Sequence, residues 1–184
     1  MNEVIRKNVF LTLFLSFIII FISSIFYRFN SPNLTLKVKT KVNNSQDTMA
    51  MVIDLMQKLK KDPNNIDVLK ELGFVFMKMG NWNRALSFWT KILDIEPKDR
   101  MALSQAGYCY FQLQKYHKAV HLYEEVLKSD ENNYIINYNL GVIYAKFLSQ
   151  PNKAKIYFQK VLNSPDAESK LKQEVKDFLS HISN

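Results

Sequence analysis

The spacing of apolar residues changes character several times along this chain. From Asn8 to Tyr27 the run NVFLTLFLSFIIIFISSIFY carries no charge at all. A helix rises about 1.5 Å per residue, so about 20 residues cover the roughly 30 Å hydrocarbon core of a bilayer. This run is that long, and the pattern predicts a transmembrane helix. Thr12, Ser16, Ser23 and Ser24 can bond back onto it, and Tyr27 and Arg28 suit the headgroup boundary. Asn30-Ser31-Pro32-Asn33 then breaks the helix, because Pro32 disfavours helical geometry before it. From Leu34 to Val42 apolar and basic residues alternate, which fits a short strand or, in the preferred reading, an extended tether near anionic headgroups. Beyond this the period becomes helical. Thr48–Lys60 is amphipathic through Val52, Leu55, Met56 and Leu59, and ends at Asp62-Pro63-Asn64-Asn65. A last amphipathic helix, Ser169–His181, carries Leu171, Val175, Phe178, Leu179 and Ile182.

Between these two helices the sequence repeats. Gly73, Gly107 and Gly141 are spaced by 34 and 34. Three residues after each stands an aromatic: Phe76, Tyr110, Tyr144. Four residues before each stand Leu69, Leu103 and Asn137. Twelve residues after the first two glycines come Ala85 and Ala119, and four further on Trp89 and Tyr123. In the third unit the matching pair, Ala154 and Phe158, arrives one residue late, which places an extra residue around Leu148–Asn152. A glycine inside a helix costs roughly 0.5–1 kcal/mol against alanine. Its recurrence at one register therefore points to close packing between two helices of a unit. Gly73, Ala85, Gly107, Ala119, Gly141 and Ala154 are the expected contact points, with the aromatics filling the space between.

The pattern resembles the tetratricopeptide repeat (TPR), aromatic-x2-Leu-Gly-x2-Tyr, then Ala-x3-Phe, then Pro, at a period of 34. Leu69, Leu103 and Asn137 depart from its first aromatic, and Ala106 from one leucine; Pro97 and Pro165 match its close. The resemblance implies an all-α fold: three helix-turn-helix units (66–99, 100–133 and 134–166) in a right-handed superhelical stack. A half-unit or capping helix at 48–62 and a capping helix at 168–182 flank them, behind an anchor at 1–28 and a basic linker at 29–47. It also implies a groove lined by the first helix of each unit. The family's groove positions fall on Asp67, Lys70, Phe74, Met77 and Lys78, then on Met101, Ser104, Tyr108, Phe111 and Gln112, then on Ile135, Tyr138, Val142, Ala145 and Lys146. This wall is aromatic and apolar, suited to an amphipathic helix or an extended apolar peptide. Some family members hold a terminal carboxylate with a Lys/Asn/Arg clamp. Lys70 matches one clamp position, but Phe74, Ile135 and Asn139 stand where the others should be, so no clamp of that type is expected.

Charge adds to this picture at one end. Lys+Arg is 25 and Asp+Glu 17, a net +8. Before Gln46 there are six basic residues (Arg6, Lys7, Arg28, Lys37, Lys39, Lys41) against Glu3, which gives +5; the remaining 19 basic and 16 acidic residues give +3. The basic balance thus belongs to the membrane-flanking segment and does not argue for nucleic acid. The apolar run is longer than a signal peptide's, typically about 7–15 residues, and Ser23-Ser24-Ile25-Phe26-Tyr27 is a poor cleavage site, so an uncleaved anchor is expected. Arg6 and Lys7 favour the N-terminus inside, while Arg28, Lys37, Lys39 and Lys41 oppose it. Resemblance to bacterial signal-anchor proteins favours the domain on the periplasmic side of an inner membrane.

Little in the chain suggests catalysis. Four glycines are too few for a phosphate loop plus the turns of a β-protein. His117 and His121 lie one helical turn apart, at metal-ligand spacing, but no third ligand accompanies them. Cys109, the single cysteine, reads as a small buried hydrophobe. No enzyme activity, cofactor, metal, nucleic acid or small-molecule substrate is expected. The expected role is a membrane-anchored scaffold that binds peptide or protein clients during assembly of an envelope complex. The order of anchor, tether, half-unit and repeats resembles bacterial TPR factors of cytochrome c maturation. The alternative is an accessory assembly or quality-control factor of a translocon, pilus or secretion system.

Overall fold

The computed structural model describes residues 45–182. The expected anchor at 1–28, and the linker apart from its last residues, lie outside the described residues. Among them the chain forms eight helices: α1 (Ser45–Lys61), α2 (Ile66–Lys78), α3 (Trp82–Ile95), α4 (Arg100–Gln112), α5 (Tyr116–Leu127), α6 (Tyr134–Val142, continued by a π turn Ile143–Phe147), α7 (Pro151–Asn163) and α8 (Ser169–Ile182). No helix among the described residues is long and apolar enough to cross a membrane.

The unit starts are set by caps. Asn65, Asp99 and Asn133 recur at the same interval of 34. They accept from the backbone N–H of Val68, Ala102 and Ile136 at 3.1, 2.7 and 3.1 Å. Each satisfies a donor that the first turn of a helix leaves free. Asn65 and Asn133 also donate to the Asp62 and Asp130 carboxylates, which fixes the preceding turn. Each unit's two helices are joined through a residue in the left-handed region: Gly80 (φ 71°), Gln114 (58°) and Ser149 (52°). The turn therefore does not depend on glycine.

The repeat period is a packing constraint. A Cβ on Gly73 would lie 2.5 Å from Trp89, on Gly107 2.8 Å from Tyr123, and on Gly141 2.5 Å from Phe158. Ala85, Ala119 and Ala154, one turn before those rings, are fully buried. The core falls into two clusters. One joins α1 to α4 through Leu55, Leu69, Leu72, Trp89 and Ala106; the other joins α4 to α8 through Leu103, Tyr123, Leu140, Phe158 and Val175. Leu93 and Leu122 pack against both.

Three details differ from the pattern expected of the sequence. The first helix starts at Ser45, inside the expected linker, and Met56, grouped by spacing with its buried face, is 45% exposed. The extra residue of the third unit sits before Leu148. Leu148 N–H bonds to Ile143 O at 3.0 Å, five residues back, where Leu113 N–H bonds to Cys109 O four back. The inserted residue is absorbed as a π turn inside α6. Asn137, at the aromatic position of the repeat, is fully buried and ties down the loop before α6 by donating to Glu131 O and Asn133 O, both at 2.9 Å.

Polar ties link successive units. Lys70 Nζ lies 3.0 Å from Asp99 Oδ2. The Tyr144 and Tyr157 hydroxyls both donate to Glu124 Oε1, at 3.1 and 3.2 Å. Burial pushes the Asp99 carboxyl up, but the N–H of Ala102 and the ammonium of Lys70 together hold it below the usual range. A depressed folded pKa gives stability that is present above the unfolded value of about 3.9 and lost as pH falls through the folded one. Asp99→Ala should cost about 1–2 kcal/mol at neutral pH. Asp99→Asn should keep the cap, lose the ion pair, and differ from the parent in full above pH ~4 and progressively less as pH falls below it. Urea denaturation of the three proteins between pH 3 and 7 measures both effects.

Candidate peptide-binding groove

The first helices of the second and third units, α4 and α6, enclose a hollow of about 170 Å³ lined by Tyr108, Phe111, Tyr123, Tyr138, Asn139, Val142 and Ile143. Four of the residues expected in a groove, Tyr108, Phe111, Tyr138 and Val142, thus meet around one cavity. They stand there because Gly107 and Gly141 are turned toward Tyr123 and Phe158 of the second helices, which leaves the neighbouring positions facing outward. The walls are aromatic and aliphatic, and Asn139 supplies an amide. The hollow is large enough for one bulky apolar side chain, and it has few groups to satisfy a charge.

An aromatic row leads out of this hollow. Trp82 meets Tyr108 edge-to-face at 5.8 Å between centroids, Tyr108 meets Phe111 at 6.4 Å, Phe111 meets Phe147 edge-to-face at 5.5 Å, and Phe147 stacks on Tyr116 at 4.4 Å. Each such pair adds about 0.5–1.5 kcal/mol beyond its buried area. Tyr108 and Phe147 remain 37% and 40% exposed, so the row is accessible from outside. Trp82, Tyr116 and Phe147 are not among the expected groove residues. Trp82 and Tyr116 are one full period apart, which marks them as equivalent. Phe147 is placed by the π turn: past the insertion, equivalence shifts by one, and Phe147 takes the position that Gln112 and Lys78 hold in the other units.

The remaining groove positions are dispersed. Phe74 is 44% exposed and packs its edge on Trp89 at 4.9 Å, while Met77 Sδ accepts from Trp89 Nε1 at 3.2 Å. Lys70 is engaged by Asp99, as above. Asp67 and Lys78 are exposed, and Gln112 and Ala145 are half-buried. Met101, Ser104 and Ile135 line a separate shallow hollow at the opposite end of α4 and α6, with Asp130 and Asn133. The capping helix touches two of the third unit's groove positions: Lys146, itself exposed, lies 4.5 Å above the ring of Phe178, and the Tyr138 hydroxyl donates to the Glu174 carboxylate, both on α8. Burial, and then that carboxylate, push the Tyr138 hydroxyl up to about 12. The capping helix therefore packs along the third unit's end of the groove at Lys146 and Tyr138 and leaves the hollow between the second and third units open.

His117 and His121 are exposed beside Tyr110 and Leu122, and no set of three or more His, Cys, Asp or Glu groups close enough for a metal ion occurs among the described residues. Cys109 is fully buried against the first core cluster, and burial raises its thiol to about 12. It should resist a thiol reagent in the native protein at pH 8 and react at once in denaturant; rapid labelling of the folded protein would show that α4 opens locally.

Comparison with known proteins follows the same lines. A family model described as TPR repeat matches residues 107–146, and one described as tetratricopeptide repeat matches 134–165. The RNA polymerase-associated protein CTR9 of Saccharomyces cerevisiae is 29% identical over 125 residues, which cover 65% of this chain and 11% of the relative. The chain thus spans about a tenth of the length of the curated relatives it matches. Among solved structures, MamA superposes with a TM-score of 0.63 at 18% identity, over 75% of this chain and 88% of MamA. The first TPR of Spaghetti (RPAP3), bound to the HSP90 peptide SRMEEVD, superposes with a TM-score of 0.59 at 20% identity, over 67% of this chain and 97% of that one. At such identities the likeness concerns the fold. Residues 107–165 of the chain match tetratricopeptide-repeat models, and the domain shares the all-helical fold of the solved structures it resembles.

Proposed function

We propose that this protein is a non-catalytic scaffold, held to a membrane by its N-terminal segment, whose groove grips an apolar segment of a client protein during assembly of an envelope complex. The observation that carries this reading is the hollow between α4 and α6. Tyr108, Phe111, Tyr138 and Val142 form a receptacle for one bulky apolar side chain, continued by accessible aromatics. Rigid aromatic walls give contact area at low entropic cost, so they suit binding better than turnover. The wall's apolar character favours an amphipathic helix or an apolar strand over an acidic tail. Phe74 at a clamp position, and Lys70 held by Asp99, point the same way.

The anchor is the uncharged run Asn8–Tyr27. With Arg6 and Lys7 inside, the repeat domain stands on the periplasmic side of a bacterial inner membrane. The chain should resist extraction at high pH, and deletion of residues 1–28 should release it. The order of parts resembles that of the TPR factors of cytochrome c maturation, and this supports unfolded apocytochrome segments as the proposed clients. A photoreactive residue at Tyr108, activated in intact membranes and followed by mass spectrometry, tests this. Capture of apocytochromes or their maturation proteins is the expected result. Capture of translocon, pilus or secretion components would move the scaffold to another envelope machine. Capture of nothing but the chain's own α8 would overturn the groove as a client site.

A further inference from the structure

Charge in the repeat domain is sorted between the two edges of the stack. The stretches 72–93, 100–123 and 132–165 contain no Asp or Glu, and each surrounds the turn between the two helices of one unit. These turns share one edge: Trp82 meets Tyr108 near the second turn, and Tyr116 and Phe147, at the second and third turns, stack on each other. The exposed cations of this edge are Lys78 and Arg84 in the first unit, Lys115 and Lys118 in the second, and Lys146, Lys153 and Lys155 in the third. Among the described residues none of them joins an ion pair. The pairs between units, Lys70–Asp99, Arg100–Asp130 and Lys160–Glu131, lie toward the other edge. On the turn edge Arg84, Lys118 and Lys153 lie instead over the rings of Phe76, Tyr110 and Tyr144, at 5.4, 5.5 and 5.0 Å. α8 brings two acids to the third unit, but Glu174 accepts from the Tyr138 hydroxyl and Asp177 from Gln173. A row of like charges repels itself, and an anionic surface removes that cost.

We propose that this turn edge docks on the anionic headgroups of a lipid bilayer. Each Lys or Arg close to such a surface raises affinity about fivefold. Between the cations stand apolar and aromatic groups suited to headgroup depth: Met79 and Phe147 are 46% and 40% exposed, and Trp82 and Tyr116 are half-buried. A nucleic acid fits less well. Single strands need ring faces open to stacking bases, and Phe76, Tyr110 and Tyr144 are buried or half-buried with a cation over each. The uncharged run Asn8–Tyr27, taken as an anchor, keeps the domain beside a bilayer, and the choice of lipid as partner rests on that reading. Docked this way, the aromatic row opens toward the bilayer at Phe147 and ends at the hollow between α4 and α6, which sets the client site beside the membrane.

The test uses the full-length chain reconstituted into vesicles of phosphatidylcholine, alone or mixed with phosphatidylglycerol. A fluorophore is attached at Asn152→Cys on the turn edge or at Asn132→Cys on the other edge; both positions are exposed, and Cys109 is buried. A nitroxide carried on lipid headgroups quenches a fluorophore that touches them. At low salt the Asn152→Cys probe should be quenched at least about twofold on the mixed vesicles only, and high salt should remove the effect. The Asn132→Cys probe should stay bright on both. Lys115→Glu with Lys155→Glu should weaken docking about tenfold or more. Lys115 precedes α5 and Lys155 lies near the start of α7, where acids suit the helix dipole, so the fold should hold. Lys98→Glu, on the other edge, should change nothing. Failure of the anchor reading has a separate signature: the chain would leave both kinds of vesicle at high salt, yet at low salt settle on the mixed ones turn edge first. A turn-edge probe that stays bright on mixed vesicles overturns the proposal. So does quenching equal at both edges, or indifferent to phosphatidylglycerol or to the double variant. Binding of RNA or DNA through Lys115 and Lys155 in neutral detergent, with no contact to mixed vesicles, overturns it as well.

Discussion

Phe158→Ala should destabilise the repeat domain by about 3–5 kcal/mol, a large share of the ~5–15 kcal/mol by which such domains are stable. Phe158 is fully buried, packs against Tyr138 and Phe178, and its ring occupies the space beside Gly141. Gly141→Ala tests the same contact from the other side. In an open helix that substitution would gain roughly 0.5–1 kcal/mol. Here the new methyl would meet Phe158 ring carbons at 2.5 and 2.6 Å, both in the fixed plane of a buried ring. Overpacking of that kind costs about 1–3 kcal/mol, so the net effect should be a loss. The two changes share one volume, so the double variant should cost less than the sum. Urea denaturation of the four proteins of the cycle gives the coupling. Effects that add within ~0.5 kcal/mol would show that the recurring glycines are not there to admit the rings.

That contact was legible in the sequence because it recurs. A glycine in the middle of a helix is unfavourable on its own, and three of them at intervals of 34 can be explained only by a neighbour on each. The same logic reaches Trp82 and Tyr116, whose period marks them although each only opens its helix. It fails at Phe147. The sequence shows that Ala154 is one residue late, but a delay does not say whether the extra residue lies in a loop or inside a helix. Only the hydrogen bond from Leu148 to Ile143 locates it, and with it the ring that completes the aromatic row. Met56 fails for a different reason. Helical spacing gives a broad apolar arc, and it cannot tell which part of the arc has a neighbour.

The groove was half legible for a related reason. Its inner positions follow from the repeat, but their accessibility depends on α8, whose polar face and apolar face can be read while its docking site cannot. Lys70 likewise belongs to a groove position by register and to Asp99 by geometry. Side chains that vary between units carry no period, so a pattern read from repetition says least where binding is decided.

Val175→Asp should therefore change the groove as well as the stability. Val175 is fully buried in the second core cluster. A carboxylate there has no partner, and leaving it buried costs at least several kcal/mol. α8 is the last helix of the stack, so the chain can avoid most of that cost by letting α8 come off while α2 to α7 stay folded. Three contacts leave with it: Phe178 from Lys146 and from Phe158, and Glu174 from the Tyr138 hydroxyl. Burial and Glu174 hold that hydroxyl up at about 12, so its titration should fall back toward the ordinary value of about 10. Amide exchange should show α8 opened and α4 still protected. A photoreactive residue at position 146 should capture α8 in the parent and a client in the variant. If α8 amides stay as protected as those of α7, and Tyr138 titrates unchanged, the helix is not held by Val175.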